Sequence, residues 1–184
     1  MKTCLKTIVL ATLSTIVVFT GLTYTSCNPD KCKAITCAYG GVCNDGDCTC
    51  ATGYEGSQCE KITRNKFVAT WKVSEKGSLT NSQLYTLDIA AGAAINEVVI
   101  TNFNNTIPHA YKVQATVSQD TLYIPRQRLY GRVVEGRGYL VPDVAFEEYG
   151  SMTVQYYVTD TATGKTNDYG WDIGLQSNWS KQKL

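Results

Sequence analysis

The stretch Ala110-Tyr111-Lys112-Val113-Gln114-Ala115-Thr116-Val117-Ser118 alternates between apolar and polar residues along its length. Tyr111, Val113, Ala115 and Val117 fall on one side, and Lys112, Gln114, Thr116 and Ser118 on the other. A period of two is that of an extended chain with one face buried, because successive side chains of a strand point to opposite faces. Gln119-Asp120 supplies a turn signal, after which Thr121-Leu122-Tyr123-Ile124-Pro125 resumes the apolar pattern.

Outward from this segment the texture repeats. Ser151–Thr159 places Met152, Val154, Tyr156 and Val158 on one face. Further runs rich in β-branched and aromatic residues occupy 67–74, 83–90, 96–103, 128–135, 138–146 and 166–172. Turn signals stand between them at Gly77, Gly92, Asn104-Asn105, Gly136, Gly150 and Gly164. Roughly eight or nine short strands, with no helical stretch, predict a mainly β protein. Short turns between sequential strands favour an antiparallel up-and-down barrel, with a β-sandwich as the alternative.

The cysteines divide the chain. Cys4, Cys27, Cys32, Cys37, Cys43, Cys48, Cys50 and Cys59 are its eight, and none lies beyond Cys59. Such crowding indicates a disulfide framework formed in an oxidising compartment. A zinc cluster is the rival, but paired Cys-x-x-Cys knuckles are absent and the single histidine is the distant His109. Cys32 to Cys59 could pair in fifteen ways, among which spacing does not choose. About thirty residues cannot bury enough apolar area to offset chain entropy, so crosslinks must hold this segment.

The closing stretch Cys48-Thr-Cys50-Ala-Thr-Gly53-Tyr54-Glu-Gly56-Ser-Gln-Cys59, preceded by Gly40-Gly41 before Cys43, resembles an EGF-like domain. The resemblance implies the pairing Cys32–Cys43, Cys37–Cys48 and Cys50–Cys59, with Gly53, Tyr54 and Gly56 shaping the turns. The calcium-binding subset of that family carries a carboxylate run before its first cysteine. Here the matching residues are Asn28-Pro29-Asp30-Lys31, with lysine where the bidentate glutamate belongs, so no cofactor is expected.

Lys2 and Lys6 precede an apolar run from Ile8 to Leu22, long enough for a signal peptide and short for a membrane span. Thr23-Tyr24-Thr25-Ser26-Cys27 then resembles a lipoprotein signal, with a small residue before the cysteine that becomes lipidated. Tyr24 stands where that pattern usually has Leu, and it also spoils ordinary signal-peptidase cleavage after Ser26. Cysteine arithmetic favours lipid on Cys27, which leaves six cysteines for three bridges. Soluble secretion and an uncleaved anchor are the alternatives.

The expected organisation is a signal peptide at 1–26, an EGF-like module at 28–60, a linker at 61–65, the barrel at 66–178 and a tail at 179–184. The whole resembles lipoproteins of Gram-negative gut anaerobes, which implies an outer-membrane, cell-envelope location and brings no activity with it. Phe67-Val-Ala69-Thr-Trp71-Lys72 is similar to the first strand of the lipocalin and avidin group, with Ala69 in place of the glycine of its Gly-x-Trp motif.

Of 17 basic residues, Lys2 and Lys6 lie in 1–26, leaving 15 against 16 acidic ones. That balance argues against a nucleic-acid partner. His109 is the only histidine, and no nucleophile elbow, paired-histidine zinc motif or phosphate-binding glycine loop is present, so an enzyme is not expected. The β region holds most of the twelve tyrosines and all three tryptophans. Most should fill the barrel, while Tyr149, Tyr169, Trp171 and Trp179, near turns or the chain end, are the candidate binding surface. Arg126, Arg128, Arg132 and Arg137 would form a basic strip if they share a face. The expectation is a lipid-anchored, non-enzymatic binding or adhesion protein with the EGF-like module as spacer and a protein or glycan ligand. The alternative is a lipocalin-like carrier of a small apolar ligand. A hollow barrel favours the carrier, a filled one surface recognition.

Overall fold

Thirteen strands follow from these patterns in the computed structural model, which describes residues 30–143 and 148–182; the expected signal segment and Cys27 lie outside them. The disulfide-rich region holds two small antiparallel pairs. β1 (Val42–Asn44) pairs with β2 (Asp47–Thr49), and β3 (Tyr54–Glu55) with β4 (Lys61–Ile62). Asp45 and Gly46 both have positive φ, the requirement of a two-residue hairpin turn whose twist matches its strands. Three disulfides, Cys32–Cys43, Cys37–Cys48 and Cys50–Cys59, staple the region in the pairing the resemblance implies.

A short 3-10 helix (Thr63–Lys66) leads into the large sheet. Its strands are β5 (Ala69–Glu75), β6 (Gln83–Ala91), β7 (Glu97–Thr101), β8 (Val113–Ser118), β9 (Thr121–Leu129), β10 (Arg132–Asp143), β11 (Glu148–Asp160), β12 (Thr166–Tyr169) and β13 (Ser177–Lys181). β5 to β11 run up and down in sequence, and β13 pairs with both β11 and β5, closing an eight-stranded antiparallel barrel. β12 hangs on the upper part of β11, beside the stretch that β13 takes lower down. The barrel is the alternative favoured by the short turns, and it is compatible with a lipocalin-like binding fold.

Inward positions alternate as the sequence pattern requires. Val113, Ala115 and Val117 of β8, and Met152, Val154, Tyr156 and Val158 of β11, are buried. Three expected breaks are corrected, and one of them, Gly150, lies inside β11. The break expected near Pro125 lies at Tyr130-Gly131, where both residues have positive φ and β9 turns into β10. Pro125 sits instead in a register shift of β9, where a missing N–H is tolerated. Gly136 is inside β10: a Cβ there would land on the Cβ of Tyr156, so the glycine makes room for that ring rather than ending the strand.

The segment expected as a linker is built in. Lys61-Ile62 pairs back on Tyr54-Glu55, and the Thr63 N–H donates to the Gly53 carbonyl at 3.0 Å. Arg64 donates to the carbonyls of Gly92 and Ala94 at 3.2 and 2.7 Å, and Lys66 spans Glu55 of the module and Asp120 of the barrel at 2.8 and 2.5 Å. Burial alone would lower the Lys66 pKa, but the two carboxylates outweigh it and hold it above the ordinary value. A Cβ on Gly53 would lie 2.6 Å from Ile95 Cγ2, so the module touches the β6–β7 turn of the barrel directly. It sits at the end of the barrel that carries the β6–β7 and β8–β9 turns. The expected tail is corrected too, because β13 reaches Lys181.

Candidate functional site

The barrel interior decides where a ligand can go. Trp71, Trp179, Tyr156, Tyr169, Phe67 and Phe103 are each less than 2% accessible. A ligand-sized void would leave its walls reachable by water, so these rings fill the space they face. Trp71 closes the end nearest the module, its Nε1–H donating to the Phe67 carbonyl at 2.8 Å with the Lys181 ammonium 5.6 Å from its ring centre. The far end is plugged by a second 3-10 helix, Phe103–Asn105, whose Asn102 and Asn104 have positive φ.

At that far end lies a group that the sequence did not single out. Glu75, the last residue of β5, is buried with no cation beside it among the described residues. Tyr85 and Asn104 donate to its Oε1 at 2.8 and 3.2 Å, and Tyr156 and Ser177 to its Oε2 at 2.7 and 2.6 Å. Trp179 Nε1–H donates to Ser177 Oγ at 2.7 Å, and Asn104 also donates to Tyr156 at 2.8 Å. Four neutral donors are the complement of an ionised carboxylate. Burial nevertheless pushes the Glu75 carboxyl above its ordinary pKa, the four hydrogen bonds offsetting only part of that cost. Burial likewise raises Tyr85 and Tyr156, whose protons must stay in place to serve as donors. The lone pairs of Glu75 are fully used, so the network can hold β5, β6, β11, β13 and the Phe103–Asn105 helix together but has no open position for a substrate.

The outward neighbours of this network form an open groove. On β5 and β13 the side chains alternate, so Glu75 and Ser177 point in while Ser74 and Asn178 point out. Two depressions of about 580 and 380 Å³ meet there and share Ser74 and Asn178. The larger runs beneath the loop Gly170–Gln176, and the smaller crosses the wall toward Lys72, Ser151, Thr153 and Ser180. Leu84, Ile173 and Leu175 stand on the rim with 65%, 63% and 63% of their surface exposed. The loop is pinned by Asp168, which accepts the N–H groups of Trp171 and Asp172 at 2.8 and 3.1 Å.

Beside the groove, Trp171 folds over the outside of β10 and β11. Its ring meets Tyr157 edge-on at 6.0 Å, and the Arg137 guanidinium lies 5.1 Å from its centre and 5.9 Å from that of Tyr139. Arg126 donates to the Tyr157 hydroxyl at 3.0 Å, and that hydroxyl donates to Glu135, a bond that holds the phenol above its ordinary pKa.

Of the expected binding surface, among the described side chains only Trp171 is partly exposed. Tyr169 and Trp179 are corrected: both are buried, Tyr169 stacked on Tyr156 at 4.4 Å and Trp179 inside β13, because the strand continues where a tail was expected. The Tyr149 side chain lies outside the described residues. Tyr139 and Tyr157 were missed, although the alternation of β10 and β11 places them outward. The four arginines do not make one free strip. Arg126 and Arg128 bond Tyr157 and Thr161, while Arg137 packs on Trp171.

Gly53 and Gly56 hold φ of +90° and +99°, and Tyr54 between them stacks on Tyr39 at 4.5 Å. Lys31 pairs with Asp45 at 2.8 Å, and Asp30 accepts the Cys32 N–H at 3.0 Å. His109 is exposed in the loop before β8. Among the described residues no three His, Cys, Asp or Glu side chains converge as metal ligands would. No protein-family model matches the chain.

Proposed function

We propose that this protein is a lipid-anchored component of the cell envelope that binds its ligand on the outside of the barrel and catalyses nothing. The observation that carries the proposal is the contrast between a barrel interior packed with aromatic rings and an open groove on the wall between β5, β13 and the loop Gly170–Gln176. A carrier of an apolar molecule needs the reverse, a void lined by accessible apolar side chains.

Attachment through Cys27 is supported by the apolar run that precedes it and by the three bridges that consume all six cysteines from Cys32 to Cys59. The EGF-like module then acts as a rigid base rather than a free spacer. It is docked on the end of the barrel opposite the Gly170–Gln176 loop, so it would hold that loop away from an outer-membrane surface. The test is cell fractionation of Cys27→Ser. The variant is expected in the soluble fraction, since stable attachment takes more than one acyl chain. Unchanged membrane partitioning together with an unmodified Cys27 peptide in the mass spectrum would overturn the anchor.

A further inference from the structure

We infer that the groove takes a neutral oligosaccharide, a proposal that rests on the reading of the barrel exterior as the binding surface. The floor supplies the first argument. Thr153, Asn178 and Ser74 are register partners across β11, β13 and β5, and Ser151, Ser180 and Lys72 form the next outward row. Neighbouring strands lie about 4.8 Å apart and same-face residues about 6.8 Å apart along a strand, so five of the six form a grid of short hydroxyl and amide groups with Lys72 at its edge. Each hydroxyl and amide of this grid both donates and accepts, which matches the hydroxyls of a sugar, whereas an anion would use only their donor half. The Asn178 amide and the Ser180 hydroxyl make long bonds of 3.5 and 3.4 Å to neighbouring carbonyls, which a ligand can replace with shorter ones.

Charge supplies the second argument. The hydroxyl and amide grid is uncharged, with Lys72 and Lys76 at its margins and Asp172 on the lining of the larger depression. A polyanion would find no cluster of cations there, and a lipid chain would find a polar bed. An extended peptide adding as a strand needs a free sheet edge. The barrel is closed, and the outer edge of β12 is covered by the β5–β6 loop: the Ser78 N–H donates to the Asp168 carbonyl at 2.8 Å and the Leu79 N–H to Asn167 Oδ1 at 2.8 Å.

The rim supplies the third. Leu84 and Leu175 offer C–H surface at the two ends of the groove, and Tyr139, the register partner of Thr153, stands 40% exposed beside the floor. A sugar ring has an apolar face of C–H groups above its equatorial hydroxyls, and an exposed aromatic ring beside hydrogen-bonding groups matches that combination. The depressions are open and share Ser74 and Asn178, with volumes in the range of small-ligand sites, so together they suit several linked sugar units rather than one enclosed ring.

The test is affinity electrophoresis of the full chain through gels containing starch, xylan, mixed-linkage β-glucan or mannan. Polygalacturonate gels and cis-parinaric acid fluorescence serve as contrasts. At least one neutral polymer should retard the protein. Asn178→Ala and Tyr139→Ala should each weaken retardation about tenfold, and Ser74→Trp, which fills the groove, should abolish it, all with unchanged melting transitions. The neutral-glycan assignment falls if no neutral polymer retards the protein, or if the three folded variants bind as the parent does. Retardation by polygalacturonate alone, lost in Ser74→Trp, would overturn the neutral class and leave the exterior site standing. Saturable parinaric acid binding that the variants leave untouched would overturn the exterior reading itself.

Discussion

The Tyr156 hydroxyl donates to Glu75 Oε2 at 2.7 Å, a contact that joins β11 to β5 across 81 residues of chain. The same carboxylate gathers Tyr85, Asn104 and Ser177, so one acidic residue ties together most of the far end of the barrel. Its outward neighbour Ser74 lies in the groove, which makes the buried network the support of the proposed binding surface.

Glu75→Leu should therefore be severely destabilising. Removing the carboxylate leaves the Tyr85, Tyr156 and Ser177 hydroxyls without an acceptor and Asn104 with Tyr156 alone, and each unsatisfied group costs about 1–3 kcal/mol. A loss of at least about 3 kcal/mol in urea unfolding is expected, and a loss below 1 kcal/mol would show that the donors find other partners.

Glu75→Gln tests the charge separately. The folded carboxyl binds its proton more tightly than the unfolded one, so its contribution is fully present below the unfolded pKa and is lost as pH rises through the folded value. The parent should lose stability relative to Glu75→Gln as pH rises above the ordinary glutamate value of 4.5. Parallel melting-temperature curves for the two proteins above that pH would refute a raised Glu75.

Gly136→Ala adds one methyl group where the backbone of β10 crosses Tyr156. The new carbon would meet the Tyr156 side chain and lie 2.7 Å from the Gln155 carbonyl oxygen. Overpacking of this kind costs about 1–3 kcal/mol. Gly164→Ala is the useful contrast, since nothing lies within 4 Å of its Cβ position, although its φ of +69° brings a smaller backbone cost.

Reduction of the three disulfides should unfold the module and also lower the melting temperature of the barrel, because the two are docked. The module loses its crosslinks, worth about 2–5 kcal/mol for each bridge. The barrel then loses the Glu55–Lys66 pair and the contact of Gly53 with Ile95. Lys66→Met in the oxidised protein should show the smaller effect, about 1 kcal/mol, since Asp120 is half exposed and its pairing is screened by water. A barrel transition unmoved by reductant would mean that the docking contributes nothing.

Asp168→Ala should loosen the Gly170–Gln176 loop by freeing the Trp171 and Asp172 N–H groups. Faster hydrogen exchange at those two amides, with the strand amides of β11 unchanged, is the expected signature; equal protection would assign the order of the loop to Trp171 packing on Arg137 instead.

Alternation is a local property, so the strands of the barrel were legible from residues a few positions apart. Val113, Ala115 and Val117 needed no partner to declare their face. The disulfide spacing was legible for the same reason. The turn at Tyr130-Gly131 was not, because tyrosine is a poor turn former and takes its positive φ here from the pairing of β9 with β10.

Position in the chain misled most where tertiary pairing overrides it. Trp179 lies five residues from the last and was expected in a tail, yet β13 is the strand that closes the barrel, and closure buries it. Glu75 shares the inward phase of Trp71 and Val73, so its direction was written in the alternation. A buried carboxylate is tolerable only with partners, however, and those come from Tyr85, Asn104, Tyr156 and Ser177, which lie 10 to 102 residues away. Strands, crosslinked module and inward phase are each a matter of neighbouring residues. The filled interior and the groove outside it are not, since both depend on side chains that meet solely when β5 and β13 are hydrogen-bonded.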